Sequence, residues 1–76
     1  MITVKLFGLL RLETGIKEMQ MEATTIQSVL QNLENAGIPR KTLAGCVIFV
    51  NNQPANKRSK LSDGDRVVLM PPVAGG

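Results

Sequence analysis

One amphipathic helix pattern limits the folds open to this chain. A single apolar stripe with α-helical spacing is formed by Ile26, Val29, Leu30 and Leu33. Thr24 and Gln27 fit a capping box before that stripe. Gly37 and Pro39 are typical of a helix end, so we expect a helix over residues 26–36. A helix with one apolar face has to cover another apolar surface, and the remaining segments have the patterns of strands.

Four segments predict β-strands. They are residues 1–7, 16–22, 46–50 and 66–70. Strict alternation places Ile2, Val4 and Leu6 on the core face of the first strand. The second strand, with Met19 and Met21 on one face, should pair antiparallel with the first. Val67 and Leu69 should point inward from the last strand.

The third strand, Cys46–Val50, is an unbroken apolar run, which is typical of a strand covered on both faces or central in its sheet. We interpret Leu9–Gly15 as a loop that ends in a turn, and Ile38–Gly45 as a connector. Turns are expected at residues 51–54 and 61–65.

The order of strand, strand, helix, strand, strand predicts an α+β fold, the ubiquitin-like β-grasp. In this arrangement a mixed sheet carries one main amphipathic helix on one face, and the first and last strands are central neighbours. We expect a single domain over residues 1–71, followed by an extended tail over residues 72–76.

Composition excludes several classes of function. The 76 residues include one cysteine and no histidine, too few groups for a metal site or a catalytic triad. Cys46 cannot form an internal disulfide, which indicates a cytoplasmic setting, and we interpret it as a buried core thiol. No run is apolar enough for a membrane span. A net charge of +3 permits an acidic partner but does not demand nucleic acid, and two phenylalanines as the only aromatic residues leave little on which bases could stack.

The segment after the last strand predicts a thin projecting arm. Pro71 and Pro72 fix two φ angles and favour extended neighbours. Val73 and Ala74 follow, and the sequence closes on Gly75–Gly76, whose missing Cβ atoms suit a narrow slot. From Pro72 to Gly76 the reach is roughly 13 Å when extended. We therefore expect Gly76 to present a free α-carboxylate.

Apolar residues that face away from the core predict a protein interface. Phe7, Val68 and Met70 should lie near one another at the root of the tail if the first and last strands are neighbours. Pro54 is expected at the rim of the same surface. The basic segments at residues 40–41 and 57–60 are expected to be solvated loops.

The sequence resembles the small sulfur-carrier subunit of molybdopterin synthase along nearly its whole length. The matching segments are Met1–Gly8, Leu10–Gly15, Val50–Asn51, Leu61–Val67 and Pro71–Gly76. The terminal Pro-Pro-Val-Ala-Gly-Gly is the most specific of them. Leu69–Met70 departs from the family, whose members often carry an aromatic residue before the prolines.

The resemblance implies a carrier that supplies no acid or base of its own and binds no cofactor. An adenylyltransferase similar to ubiquitin-activating enzymes would use ATP on Gly76, and a persulfide would then convert it to a thiocarboxylate. The tail, residues 72–76, with Pro71 at its root, would bind the large catalytic subunit and donate sulfur to a cyclic pyranopterin. A heterotetramer of two carriers on a dimer of large subunits is implied too.

Three other functions remain open. A sulfur carrier of the thiamine pathway shares the fold and the Gly-Gly end, although the proline pair and the length favour the molybdopterin carrier. A ubiquitin-like modifier would use the same adenylate to join Gly76 to a lysine of a target protein. A simple adaptor domain would need no free terminus.

Overall fold

A computed structural model describes residues 1–71 of the chain, apart from the side chain of Leu9. The strands within this range are β1 (Ile2–Leu6), β2 (Glu18–Met21), β3 (Val47–Val50), β4 (Gln53–Pro54) and β5 (Arg66–Met70). The helices are α1 (Leu9–Thr14), α2 (Ile26–Asn35) and α3 (Arg40–Ala44). None of these helices has the length and apolar character needed to cross a bilayer.

The described strands form one mixed sheet in the order β2-β1-β5-β3-β4. β1 and β5 are parallel neighbours, and the other three pairings are antiparallel. The prediction that the first and last strands lie side by side is therefore confirmed, as is the antiparallel pairing of the first two. The boundaries of the four predicted strands lie within two residues of the sequence prediction, while β4 falls in a segment that was expected to be a turn.

The core lies between the sheet and α2. Val4 is opposite Val67 and Leu6 is opposite Leu69 across the parallel pair, so these side chains share one face. They form one buried cluster with the stripe of α2, in which Ile26, Val29 and Leu33 are fully buried. The predicted α+β architecture, with the main helix on one face of the sheet, is confirmed.

The expected loop over Leu9–Gly15 is wrong, because residues 9–14 form α1. Leu10 is 1% exposed, so one turn of helix anchors the segment in the core. Gly15 adopts a left-handed conformation and its N–H donates to the Arg11 carbonyl oxygen, which ends the helix. The sequence favoured a loop because six residues are too few to show helical periodicity.

The expected connector over Ile38–Gly45 also contains a helix. α3 begins after Pro39, whose carbonyl oxygen accepts from the N–H groups of Thr42 and Leu43. Ile38 and Leu43 are buried in the core, which holds this short helix against the rest of the domain. Burial of these two side chains thus stabilises a helix whose five residues give only a weak helical signal in the sequence.

The predicted capping box at the start of α2 is displaced by one residue. Thr25, not Thr24, is the N-cap, and its Oγ1 accepts from the Ser28 N–H at 3.1 Å. The N–H groups of Ile26 and Gln27 donate to carbonyl oxygens of the 57–59 segment, so Gln27 serves the helix start through its backbone. The helix itself ends one residue before the predicted boundary.

The expected turn at residues 51–54 is a tight hairpin between β3 and β4. Asn51 and Asn52 have φ of 50° and 68°, the left-handed pair that a two-residue hairpin requires and that asparagine tolerates. Gln53 and Pro54 return as β4 instead of belonging to the turn. β3 thereby gains a neighbour on each side.

Candidate functional site

The face of the sheet opposite α2 carries a continuous row of apolar side chains. Val47 is opposite Met70, and Phe49 is opposite Val68, across β3 and β5. Residues directly opposite each other share a face, so all four lie on the side that the core does not use. Phe7 follows β1, and its N–H donates to the Leu69 carbonyl oxygen at 3.1 Å, which places it beside this row.

These side chains form what we call the apolar face, comprising Phe7, Val47, Phe49, Val68 and Met70. Phe7 is 42% exposed, Val47 44% and Met70 37%, while Phe49 and Val68 are half-buried between them. A shallow depression of about 320 Å³ opens within it, lined by Phe7, Phe49, Asn52, Val68 and Met70. Contiguous exposed apolar surface of this kind is typical of a protein interface.

The structure brings together the described residues for which the sequence predicted a role in partner binding. Phe7, Val68 and Met70 line the same depression. Pro54 is opposite Phe49 and exposed on the edge strand β4, a position at the rim of the apolar face. Their role in partner binding remains a prediction.

Sequence reasoning missed Val47, Phe49 and Asn52. The signal for the two apolar residues was the unbroken run Cys46–Val50, which we interpreted as a strand covered on both faces or central in its sheet. The first alternative is wrong, because the outer face of β3 is open and Val47 is 44% exposed. β3 does lie inside the sheet, between β5 and β4. Side chains on one side of this strand are apolar because they pack in the core, and those on the other side are apolar because they form part of the apolar face.

Gly8 positions the chain at the root of the predicted tail. Its φ of 60° and ψ of −136° lie in a region that side chains disfavour. A Cβ atom at Gly8 would lie 3.0 Å from Cγ of Pro71, so the missing side chain lets Pro71 pack against it. Pro71 is half-buried at this contact. The close approach sets where the chain leaves the sheet, next to the apolar face.

The remaining predicted site residues lie outside the described part of the chain. They are Pro72, Val73, Ala74, Gly75 and Gly76. Their predicted roles, with Gly76 as the activated carboxyl group and residues 72–76 as an extended tail, stay predictions.

Hydrogen bonds at the N-terminal end of β5 hold the β3–β4 hairpin against the sheet. Asn51 Nδ2 donates to Asp65 Oδ1 at 3.0 Å, and the Ser62 N–H donates to Asp65 Oδ2 at 2.8 Å. Both hydrogen bonds lower the pKa of the Asp65 carboxyl group, and the one from the Ser62 N–H has the larger effect. Asn51 Oδ1 also accepts from the Arg66 N–H, so Asn51 joins the hairpin to β5.

Cys46 lacks the features of a reactive nucleophile. Its Sγ donates to the Thr42 carbonyl oxygen at 3.2 Å, and the thiol is half-buried against the core. Burial raises the pKa of the Cys46 thiol, which disfavours the thiolate. The sequence predicted a buried core thiol; Cys46 does pack against the core, but it is only partly buried.

Solved structures of similar fold include the following three. Small archaeal modifier protein 1 (SAMP1) from Haloferax volcanii is similar at TM-score 0.84 and 22% identity, over 99% of this chain and 98% of that one. A chain in the complex of subunits 1 and 2 of molybdopterin-converting factor from Helicobacter pylori is similar at 0.76 and 26%, over 99% and 97%. A chain of the Amycolatopsis orientalis BexX/CysO complex is similar at 0.76 and 25%, over 100% of both chains.

The identity to SAMP1 is low enough that this likeness shows the fold alone, and it confirms the β-grasp. The other two structures are of complexes between a chain of this fold and another protein. No curated protein sequence matches the chain.

Comparison with protein families is decisive about kinship. The sequence profile of the ThiS family matches residues 4–76, which include part of β1, the other strands and helices described above, and the Gly-Gly end. Together with the likeness to molybdopterin-converting factor structures, this confirms the predicted kinship with sulfur carriers. The protein belongs to the ThiS family and has the ubiquitin-like β-grasp fold.

Proposed function

We propose that this protein is the sulfur carrier of molybdenum cofactor biosynthesis, acting as the small subunit of molybdopterin synthase. The observation that carries the proposal is the apolar face beside the root of the tail, where Phe7, Val68 and Met70 adjoin the Gly8–Pro71 contact. A relative with 26% identity was solved as a complex of molybdopterin-converting factor subunits, which supports a partner on such a domain.

The proposed chemistry takes place on the carboxyl group of Gly76. An ionised carboxylate is a poor electrophile at neutral pH. A partner similar to ubiquitin-activating enzymes joins it to the AMP moiety of ATP and releases pyrophosphate. A persulfide sulfur then attacks the acyl carbon and displaces AMP, and thiol cleavage of the resulting acyl disulfide leaves the thiocarboxylate. The protein itself supplies the activated terminus and binds no cofactor.

The large catalytic subunit is the proposed second partner. The apolar face docks on it and holds the domain in one orientation, so that residues 72–76 reach the active site of that subunit. Sulfur transfer to the cyclic pyranopterin then becomes an oriented, nearly unimolecular event. We further propose two carriers on a dimer of large subunits, in the cytoplasm.

Removal of Gly76 tests the proposal. We expect the variant that lacks Gly76 to lose sulfur transfer to the pterin precursor while its melting temperature stays unchanged, because the proposed tail contributes no packing to the core. Gly76→Ala is the matched variant: it keeps a terminal carboxylate but adds one methyl group, and we expect slower adenylation. Intact-mass measurement of the wild type shows whether Gly76 is the terminus and whether one of its oxygens is replaced by sulfur. Sulfur transfer by the deletion variant contradicts the proposal.

A ubiquitin-like modifier is the second candidate, favoured by the fold match to SAMP1 at TM-score 0.84. Its chemistry shares the adenylate but ends in an isopeptide on a lysine. Gly-Gly remnants on lysines of other proteins, found by mass spectrometry in cells that express the wild type, would favour this function. A thiocarboxylate on the free protein, with rescue of a strain that lacks the molybdopterin carrier, favours the proposed function over both the modifier and the thiamine-pathway carrier.

A further inference from the structure

A second depression adjoins the one in the apolar face. It encloses about 340 Å³ and is lined by Lys5, Phe7, Asn51, Asn52, Arg66 and Val68. Phe7, Asn52 and Val68 are shared with the apolar depression, so the two form one continuous groove. One end of the groove is apolar, and the other contains two cationic side chains.

The register of the sheet explains why the cations lie there. Lys5 is opposite Val68 across the parallel pair, and Arg66 is two residues before Val68 on β5. Alternation along a strand places all three on the same face. The charges therefore belong to the face that carries the apolar row, on the side away from Pro71.

These cations have little compensation within the described residues. Lys5 Nζ lies 3.8 Å from Glu18 Oε1, and both side chains are nearly half exposed, so this pair is weak. Arg66 is exposed and makes no ion pair with residues 1–71. The nearby Asp65 carboxylate is occupied by donors from Ser62 and Asn51. This end of the groove is thus positively charged.

We propose that the partner places a carboxylate side chain, from Asp or Glu, between Lys5 and Arg66, next to an apolar side chain in the neighbouring depression. The planar guanidinium of Arg66 can bind both oxygens of a carboxylate, and the charge of Lys5 adds to the attraction. The apolar contact supplies affinity, and the charged contact fixes the register of docking and accelerates encounter. This inference rests on the proposed function, since it names the chemistry that the large subunit presents to this face.

Charge reversal with a matched control tests the inference. Arg66→Glu and Lys5→Gln change the cationic end of the groove. Lys41→Glu in α3 changes the net charge as much as Arg66→Glu does, but on the side of the sheet that α2 covers. Binding of the full-length protein to the large subunit from the same organism is measured by calorimetry and stopped-flow at several salt concentrations.

We expect Arg66→Glu to weaken binding about 10-fold, mostly through a slower association rate, and Lys5→Gln to weaken it about 3-fold. The salt dependence of association should fall in both variants. Lys41→Glu should stay within about 2-fold of the wild type. Replacing by Lys the acidic residue of the large subunit that contacts Arg66 should restore binding of the Arg66→Glu variant.

Three outcomes overturn the inference. If the wild type binds and Arg66→Glu binds equally well, the cationic end of the groove takes no carboxylate, while the proposed function stands. Equal weakening by Lys41→Glu and Arg66→Glu would show that net charge alone matters. If the wild type does not bind the large subunit, the proposed function and this inference fail together. Melting curves identify any variant that fails to fold, and Lys5→Gln then decides by the same criteria.

Discussion

At the scale of single residues, Gly8 links the fold to the candidate site. Its carbonyl oxygen accepts from the N–H groups of Arg11 and Leu12, which starts α1. The same residue leaves room for Pro71. A residue with a Cβ atom would be strained in this backbone conformation and would contact the proline ring.

Gly8→Ala should therefore cost about 1–3 kcal/mol in unfolding free energy and displace the chain after Pro71. We expect slower adenylation by the activating enzyme at saturating ATP. Gly15→Ala is the control, because Gly15 also has positive φ, 73°, but a Cβ atom added there would meet no atom of residues 1–71 within 4 Å. Urea unfolding and adenylation rates provide the measurements. Equal adenylation by the two variants would contradict the assigned role of the Gly8–Pro71 contact.

Asp65 shows how one carboxylate couples stability to pH. Hydrogen bonds from the Ser62 N–H and the Asn51 amide lower the pKa of its carboxyl group in the folded state. Because the folded-state pKa lies below the unfolded one, the ionised group contributes stability at pH values above the unfolded pKa. This contribution is lost as the pH falls through the folded-state pKa.

Asp65→Asn should accordingly lower the melting temperature at pH 7 and make its decline below about pH 4 less steep. Glu13→Gln, which removes an exposed carboxylate in α1, is the control. Melting curves from pH 7 to acid provide the comparison. An unchanged acid decline in Asp65→Asn would show that these hydrogen bonds do not stabilise the folded state.

At the scale of elements, α2 begins where a side chain and a loop together satisfy its free N–H groups. Thr25 Oγ1 accepts from the Ser28 N–H. The carbonyl oxygens of Lys57 and Ser59 accept from the N–H groups of Gln27 and Ile26, respectively. An exposed helix start would need a full capping box. Here the 57–59 segment supplies what the side chains do not.

Thr25→Ala should destabilise the protein by about 0.5–2 kcal/mol, the usual effect of removing an N-cap side chain. Thr24→Ala should have almost no effect, because the carbonyl group of Thr24, not its hydroxyl, holds the Leu61 N–H. Urea unfolding with a shared m-value distinguishes the two. A larger loss of unfolding free energy in Thr24→Ala than in Thr25→Ala would show that Thr24 is the N-cap, as the sequence suggested.

At the scale of the whole molecule, the sheet has two different faces. The core face, with Val4, Val67 and Leu69 fully buried, is covered by α2 and fixes the fold. The outer face carries the apolar row and the two cations, which the fold itself does not require. Apolar residues that stay exposed in a small domain have a cost in solubility, and the docking function proposed above accounts for their presence.

Phe7→Asp and Met70→Asp should each weaken binding to the large subunit by at least about 10-fold, because a carboxylate would be desolvated against apolar surface. Stability should change little, since the two side chains are 42% and 37% exposed. Gln31→Asp on the exposed side of α2 is the control. Calorimetry on all three proteins gives the comparison, and unchanged affinity of both face variants would remove the apolar face from the interface.

The sequence by itself determined the order of the main elements, the core positions of β1, β5 and α2, and the expected kinship, because the alternation of Ile2, Val4 and Leu6 and the stripe of α2 are local patterns. The Gly-Gly end could also be recognised from the sequence. α1 and α3 were not, since helices this short depend on the burial of Leu10 and Leu43 against distant strands.

For β3, only the tertiary structure decided which apolar residues belong to the core and which to the apolar face. Val47 and Phe49 look like core residues in a strand pattern, and they became surface because the helices cover one side of the sheet. The parallel pairing of β1 with β5 likewise brought Lys5 and Arg66 together from opposite ends of the chain. Such contacts depend on register between distant segments, which no local pattern encodes.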